Sequence, residues 1–184
     1  MIHTLAPREE LLQCFDEAGN PTEVRTRTEV KVEPPRWWCG AATVWVVNDQ
    51  EEIMVSRRSD TVSENAGKWQ SYFGGHIQAG RSAVDTAQNE LAEEAGLEFS
   101  QEAFYTVALV RNEEKHVHAE RFAVRFNGSP EDLRFVDGEV SAARWMNMEE
   151  QWRARELYPD VWCNGCPPES QKKIRAWLKT QNRQ

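Results

Sequence analysis

Glu90, Glu93 and Glu94 stand at i, i+3 and i+4 in this chain, the spacing that gathers three carboxylates on one face of an α-helix. Val84, Leu91 and Ala95 then point a quarter-turn or more away, toward a core. Carboxylates so placed repel one another by roughly 0.2–0.5 kcal/mol per pair on an isolated helix, and a bound hard cation reverses that penalty. A solvated acidic face is the alternative and asks for no cation. The residues just ahead favour the first reading. Gly74-Gly75-His76-Ile77-Gln78-Ala79-Gly80-Arg81 leads from a strand into the helix, and glycines there let backbone approach a ligand closely and offer a carbonyl oxygen to a metal. Arg57 and Arg58 close an earlier strand, where a guanidinium can grip phosphate through two parallel hydrogen bonds or simply be solvated. His76 follows the glycine pair, placed either to touch phosphate or metal or to pack within the loop.

The elements that must hold these residues follow from periodicity and turn chemistry. Ala41 to Val47 reads as a buried strand, and Ile53 to Arg57 as its hairpin partner across Asn48-Asp49-Gln50-Glu51. Trp69 to Phe73 is a further strand running into the glycines. Apolar residues at three- and four-residue spacing from Ser82 to Ala95 mark an amphipathic helix ended by Gly96. Phe104 to Arg111, Val117 to Phe126 and Val140 to Met146 read as strands, with helices at Met148 to Leu157 and, after Pro167-Pro168, at Glu169 to Lys179. Strands on both sides of a central helix, with more helix at the end, predict an α/β (α+β) fold: an α/β/α sandwich around a mixed sheet. One domain over residues 1–184 is expected, with 1–36 as an N-terminal extension that includes a hairpin and about 160–184 as a C-terminal helical extension.

From Gly75 to Leu97 the chain resembles the signature of the Nudix family, G-x5-E-x7-R-E-U-x-E-E-x-G-U with U aliphatic. It keeps Gly75, Glu90, Leu91, Glu93, Glu94, Gly96 and Leu97, and has Arg81 and Asn89 in place of the signature's first Glu and its Arg. The resemblance implies a hydrolase that cleaves a diphosphate linkage in a nucleoside diphosphate derivative or a related small molecule. It assigns Glu90, Glu93 and Glu94 as catalytic and metal-binding residues for Mg2+ or Mn2+, with the Gly75 carbonyl as an added ligand. A further carboxylate is expected from Glu120 or Glu139, and Arg57, Arg58, Gly74 and His76 are the expected substrate contacts. Loss of the Glu and Arg partners leaves a catalytically weak or inactive Nudix-fold binding module as the alternative. Gly75-His76-x-Gln78-x-Gly80 and Phe15 to Thr22 look most like the isopentenyl-diphosphate isomerase branch, yet the isomerase's Cys and His positions hold Gly74 and Cys39 here, so hydrolysis is expected rather than isomerisation.

Composition narrows the partners. A net charge of −8 argues against a long nucleic acid, while a small phosphorylated ligand fits if a cation supplies the positive charge. No apolar run is long enough to span a bilayer and Met1 to Glu10 lacks the apolar core of a secretion signal, so the expected location is the cytoplasm, away from membranes. Four Cys make no disulfide scaffold, and Cys163-x-x-Cys166 has no second pair to complete a zinc site. His116 and His118 share a strand face but likewise lack further ligands. Trp37, Trp38 and Trp69, among eight Trp, could stack on a base or belong to packing. An apolar, Trp-bearing N-terminal segment is also suited to a homodimer interface.

Overall fold

Alternation along β3 (Trp38–Val47) sets the architecture. Ala42, Val44 and Val46 join one buried cluster, whereas Trp45 and Val47 join another on the opposite face. A strand apolar on both faces needs cover on both, and helices supply it. The structure, a computed structural model, describes residues 9–136 and 138–181. Within them β1 (Leu11–Phe15), β2 (Pro21–Thr26), β3, β4 (Glu52–Arg58), β5 (Trp69–Gln70), β6 (Phe73–His76), β7 (Tyr105–Asn112), β8 (Val117–Arg125) and β9 (Val140–Asn147) form one hydrogen-bonded network. β3 runs parallel to β8 and antiparallel to β1, β4 and β6, so the sheet is mixed.

The helix α2 (Ala83–Ala95) covers the first face, burying Ala87, Leu91 and Ala95 against Ala42, Val44, Phe73 and Phe122. Its start is fixed by a reciprocal capping box: Ser82 Oγ accepts from the Asp85 amide at 3.2 Å, and Asp85 accepts from the Ser82 amide at 3.0 Å. Gly96, at φ 68°, takes the left-handed conformation that ends the helix. On the second face, Met148 of α3 (Met148–Leu157) and Ile174 and Leu178 of α4 (Pro168–Gln181) are buried with Trp45, Ile53, Val55 and Val107. This is the expected α/β/α sandwich. The C-terminal helix belongs to the core instead of lying beside it.

Two local features depart from expectation. Trp69 to Phe73 is two strands, because the Ser71 amide donates to Asn164 Oδ1 at 2.8 Å and the chain turns at Ser71-Tyr72. After the N-terminal hairpin comes a single helical turn, α1 (Arg27–Val30), nucleated by a Thr26/Glu29 capping box and packed through Val30 against Leu12, Cys14 and Cys39. Of the 1–36 segment, residues 1–8 lie outside the described residues. Among the described residues no helix is long and apolar enough to cross a membrane.

Candidate active site

A cleft of about 720 Å³ opens beside β6, and Glu90, Glu93 and Glu94 all line it, together with Gly74, Gly75, His76 and Arg58. The helix face that buries Leu91 leaves these glutamates toward the cleft, with Glu94 only 4% exposed and Glu93 open to solvent. Gly75 packs directly on Glu90: a β-carbon there would collide with the Glu90 carboxylate. Gly74 is similarly constrained, since a β-carbon would strike the Ala42 carbonyl oxygen of the neighbouring strand. A backbone oxygen and three carboxylates are the donor chemistry of a hard divalent ion, and Gly75 and the three glutamates line the same cleft. Among the described residues no three His, Cys, Asp or Glu groups are clustered closely enough to hold a metal.

Positive groups enter from loops and from the N-terminal segment. Arg58 donates from Nε to the Glu64 carbonyl at 3.0 Å, lies 3.4 Å from Gln70 Oε1 and stands 3.6 Å from Glu139. Lys31, just past α1, reaches across to Glu64 at 2.6 Å, and Arg27 pairs with Glu10 at 2.7 Å. His76 lies among these groups. Burial, with the Lys31 and Arg27 charges adding to it, pushes its imidazole down to about 4, so it is neutral at ordinary pH. Tyr72 also lines the cleft; burial raises its phenol, and Asn164 hydrogen-bonds it.

Glu120 stands apart from this cleft. It is in register with Ala42, whose side chain faces α2, whereas the cleft lies over the next residues, Ala41 and Thr43. One residue along a strand is one face of the sheet, so Glu120 lines a second hollow with Arg81 and His118. Arg57, next to Arg58, also turns away and binds Asp60 at 2.8 Å and Ser141 Oγ at 3.3 Å. Arg81 lines the second hollow, whereas Glu90 lines the cleft, and the Arg81 charge acts on Asp85 at the start of α2. Of the expected contacts, the cleft therefore gathers Glu90, Glu93, Glu94, Gly74, Gly75, His76 and Arg58, with Glu139, and leaves out Arg57 and Glu120.

Some lining residues carried no local signal. Cys163 and Asn164 arrive from a C-terminal loop: the Cys163 amide donates to the Trp69 carbonyl at 3.0 Å, and Asn164 caps Ser71. Cys166, two residues on, is fully buried against α4, so this CxxC spans a wall and a core instead of converging. His116 and His118 stack on Trp38, with ring centroids 4.9 and 4.6 Å away.

Comparison with known proteins shows the family and the fold. An uncharacterised Nudix hydrolase of Pseudomonas aeruginosa is 33% identical over 98 residues, which are 53% of this chain and 56% of that protein. The chain thus spans about half the length of that relative, although an uncharacterised Nudix hydrolase of Yersinia pestis aligns over 95% of this chain and 89% of its own length at 26% identity. The crystal structure of a Deinococcus radiodurans protein shares the fold, with a TM-score of 0.67 over 83% of this chain and 92% of that one at 19% identity. Residues 38–161, from the first residue of β3 to the loop after α3, match the NUDIX domain, and the chain belongs to that family.

Proposed function

We propose that this protein hydrolyses the diphosphate linkage of a small substrate, a nucleoside diphosphate derivative or a related compound, using Mg2+ or Mn2+ held by Glu90, Glu93 and Glu94 with the Gly75 carbonyl. The observation that carries this reading is the convergence of the three signature glutamates and the Gly74-Gly75 turn on one cleft that also holds Arg58. A phosphoryl centre is shielded by its own negative charge; a bound divalent ion neutralises that charge and acidifies water. The chain's own groups then have distinct tasks. Arg58 orients a phosphate by charge-assisted hydrogen bonds, and neutral His76 contributes a hydrogen bond without repelling the ion. A glutamate of the helix, or Glu139 opposite, orients the attacking water.

Isomerisation of an alkenyl diphosphate is disfavoured by a specific contact. The acid required just before the Gly-His pair cannot stand at residue 74, where the Ala42 carbonyl leaves no room for a β-carbon. The binding-module alternative draws on Arg81 and Asn89, which stand where the signature has its first Glu and its Arg. Product release from a panel of diphosphate compounds with Mg2+ or Mn2+ separates these readings. Hydrolysis that disappears with chelator and falls sharply in Glu93→Gln supports the proposal. No turnover across the panel, dimethylallyl product from isopentenyl diphosphate, or full activity in Glu93→Gln overturns it.

A further inference from the structure

Asn164 reaches the cleft from the loop between α3 and α4, and its side chain is fixed by what it accepts. Its Oδ1 takes the Ser71 amide at 2.8 Å and the Ser71 hydroxyl at 3.2 Å. A backbone amide only donates, so the Asn164 atom that faces Ser71 is the oxygen and the other is Nδ2. The main chain of the same loop is held as well. Gln151, fully buried in α3, donates from Nε2 to the Asn164 carbonyl at 3.2 Å and accepts the Cys166 amide at 3.0 Å. Nδ2 therefore has a set direction, 3.5 Å from Cys163 Sγ and hydrogen-bonded to the Tyr72 phenol. A phenol has one proton to give. With its oxygen engaged by Asn164, Tyr72 directs that proton elsewhere, and it does so from the wall of the cleft that Glu94, Gly74 and Gly75 also line.

We propose that Tyr72 donates its phenolic proton to a non-bridging phosphate oxygen of the bound substrate, and that Asn164 is the positioning residue that sets the phenol in this orientation. The inference rests on the hydrolase reading for the chemistry that follows, whereas binding of a diphosphate through Tyr72 is separable from turnover. Charge explains why a phenol suits this wall. A Lys or Arg beside Glu90, Glu93 and Glu94 would pair with the carboxylates and compete with a divalent ion, whereas a neutral donor engages phosphate without that competition. A phenol keeps its proton throughout the neutral range, so it acts here as a donor and not as a base. It is also oriented before substrate arrives, which spares the cost of reorganising it on binding. Asn164 lies beyond residues 38–161, the part that matches the NUDIX domain, so the C-terminal segment of this chain supplies the orienting group.

The test compares Tyr72→Phe, Asn164→Asp and the double variant in the full chain. Tyr72→Phe keeps the ring and loses only the hydroxyl. Asn164→Asp keeps an oxygen for Ser71 but turns the donor into a second acceptor, which draws the phenolic proton to itself. For whichever diphosphate of the panel is turned over, each single variant is expected to raise KM about tenfold, the usual order for a hydrogen bond to a charged group, with kcat within about threefold. The double variant should be no worse than either single one, because both act through the same proton. The Mn2+ concentration that gives half-maximal rate should not move. Calorimetric titration of inorganic pyrophosphate with Ca2+ gives a readout independent of turnover, and each variant should bind at least about fivefold more weakly than the native protein. An unchanged KM in Tyr72→Phe, full activity in Asn164→Asp, additive losses in the double variant, or a shifted Mn2+ dependence overturns the proposal; the last would make Tyr72 a partner of Glu94. If nothing in the panel is hydrolysed but pyrophosphate binding depends on Tyr72, the hydrolase reading falls and this one stands. Hydrolysis indifferent to both variants has the reverse meaning, and the absence of both hydrolysis and pyrophosphate binding ends both.

Discussion

The cleft at Glu90, on α2, and the hollow at Glu120, on β8, both reach β3 and are both edged by acidic and basic side chains, yet they differ in how they are built. The cleft has walls drawn from the core: Cys39 and Glu94 are each 4% exposed and Gln70 is 5% exposed. The second hollow also reaches buried Gly40 and Ile77, but its other edges include Arg81, on the surface, and Leu109, which is 78% exposed. Buried walls hold side chains in fixed positions and lower the local dielectric, two conditions that make charge useful for chemistry. Exposed edges provide less of both. Proximity in the sheet is therefore a poor guide to shared function, and the face on which a residue emerges is a better one.

The largest expected contrast is chemical. Glu94→Gln should lower turnover by about 100-fold or more, since losing a charged ligand removes several kcal/mol of transition-state stabilisation, whereas Glu120→Gln should change it less than about twofold. Steady-state rates with saturating Mn2+ measure both, and a comparable loss at Glu120 would make the two hollows one site. Next comes stability at alkaline pH. Burial, with a contribution from Cys14, raises the Cys39 thiol from 9.0 to about 11. The unfolded chain releases this proton from about pH 9 while the folded chain keeps it, so its share of stability is intact below pH 9 and is lost as pH rises through about 11. Two pH units correspond to about 2 kcal/mol or somewhat more. Urea unfolding at pH 8 and pH 11 should show that loss, reduced in Cys39→Ala; an identical pH response in the variant would mean that this cleft wall is not sealed.

Glycines sharpen the contrast at smaller cost. Gly75→Ala forces a β-carbon onto the Glu90 carboxylate and should reduce turnover about tenfold by displacing that side chain, the usual order for a misplaced ligand. Gly80, at φ 79° with open space around it, should behave oppositely: Gly80→Ala costs about 1 kcal/mol of stability through backbone strain and leaves turnover within about twofold. Paired kinetics and thermal melts of the two variants read the difference directly. A Gly75→Ala enzyme with normal turnover would separate the glycine from the site.

The sandwich, α2 and its glutamates were legible because their signals are local: period-two alternation in β3, three- and four-residue spacing from Val84 to Ala95, and a capping residue at each end of the helix. Sequence distance hid the remainder. Asn164 meets Ser71 across 93 residues, and Lys31 meets Glu64 across 33, contacts that leave no trace in either segment alone. Glu120 was misleading for a different reason, because a strand's pattern tells which residues alternate but not which neighbour covers each face. The single turn of α1 was concealed by its length, though the Thr26-x-x-Glu29 capping box was written there.

Arg57 and Arg58 repeat the same lesson at adjacent positions and give the smallest expected effect. Arg58 is 17% exposed in its side chain and is held in the cleft by the Glu64 carbonyl, Gln70 and Glu139. If Arg58 makes the proposed phosphate contact in ground and transition states alike, Arg58→Ala should raise KM a few-fold and leave kcat nearly unchanged. Arg57 is spent on Asp60, itself 74% exposed, and an exposed pair of that kind contributes no more than about 1 kcal/mol. Arg57→Ala should therefore leave both kinetic constants within about twofold. Because the two residues share a chemistry and a chain position, the only variable is the face of β4 from which each emerges. An Arg57→Ala defect in KM matching that of Arg58→Ala would mean that the loop carrying Asp60 folds over the substrate and delivers Arg57 to it, and that the boundary between cleft and surface drawn at β4 should move outward by one residue.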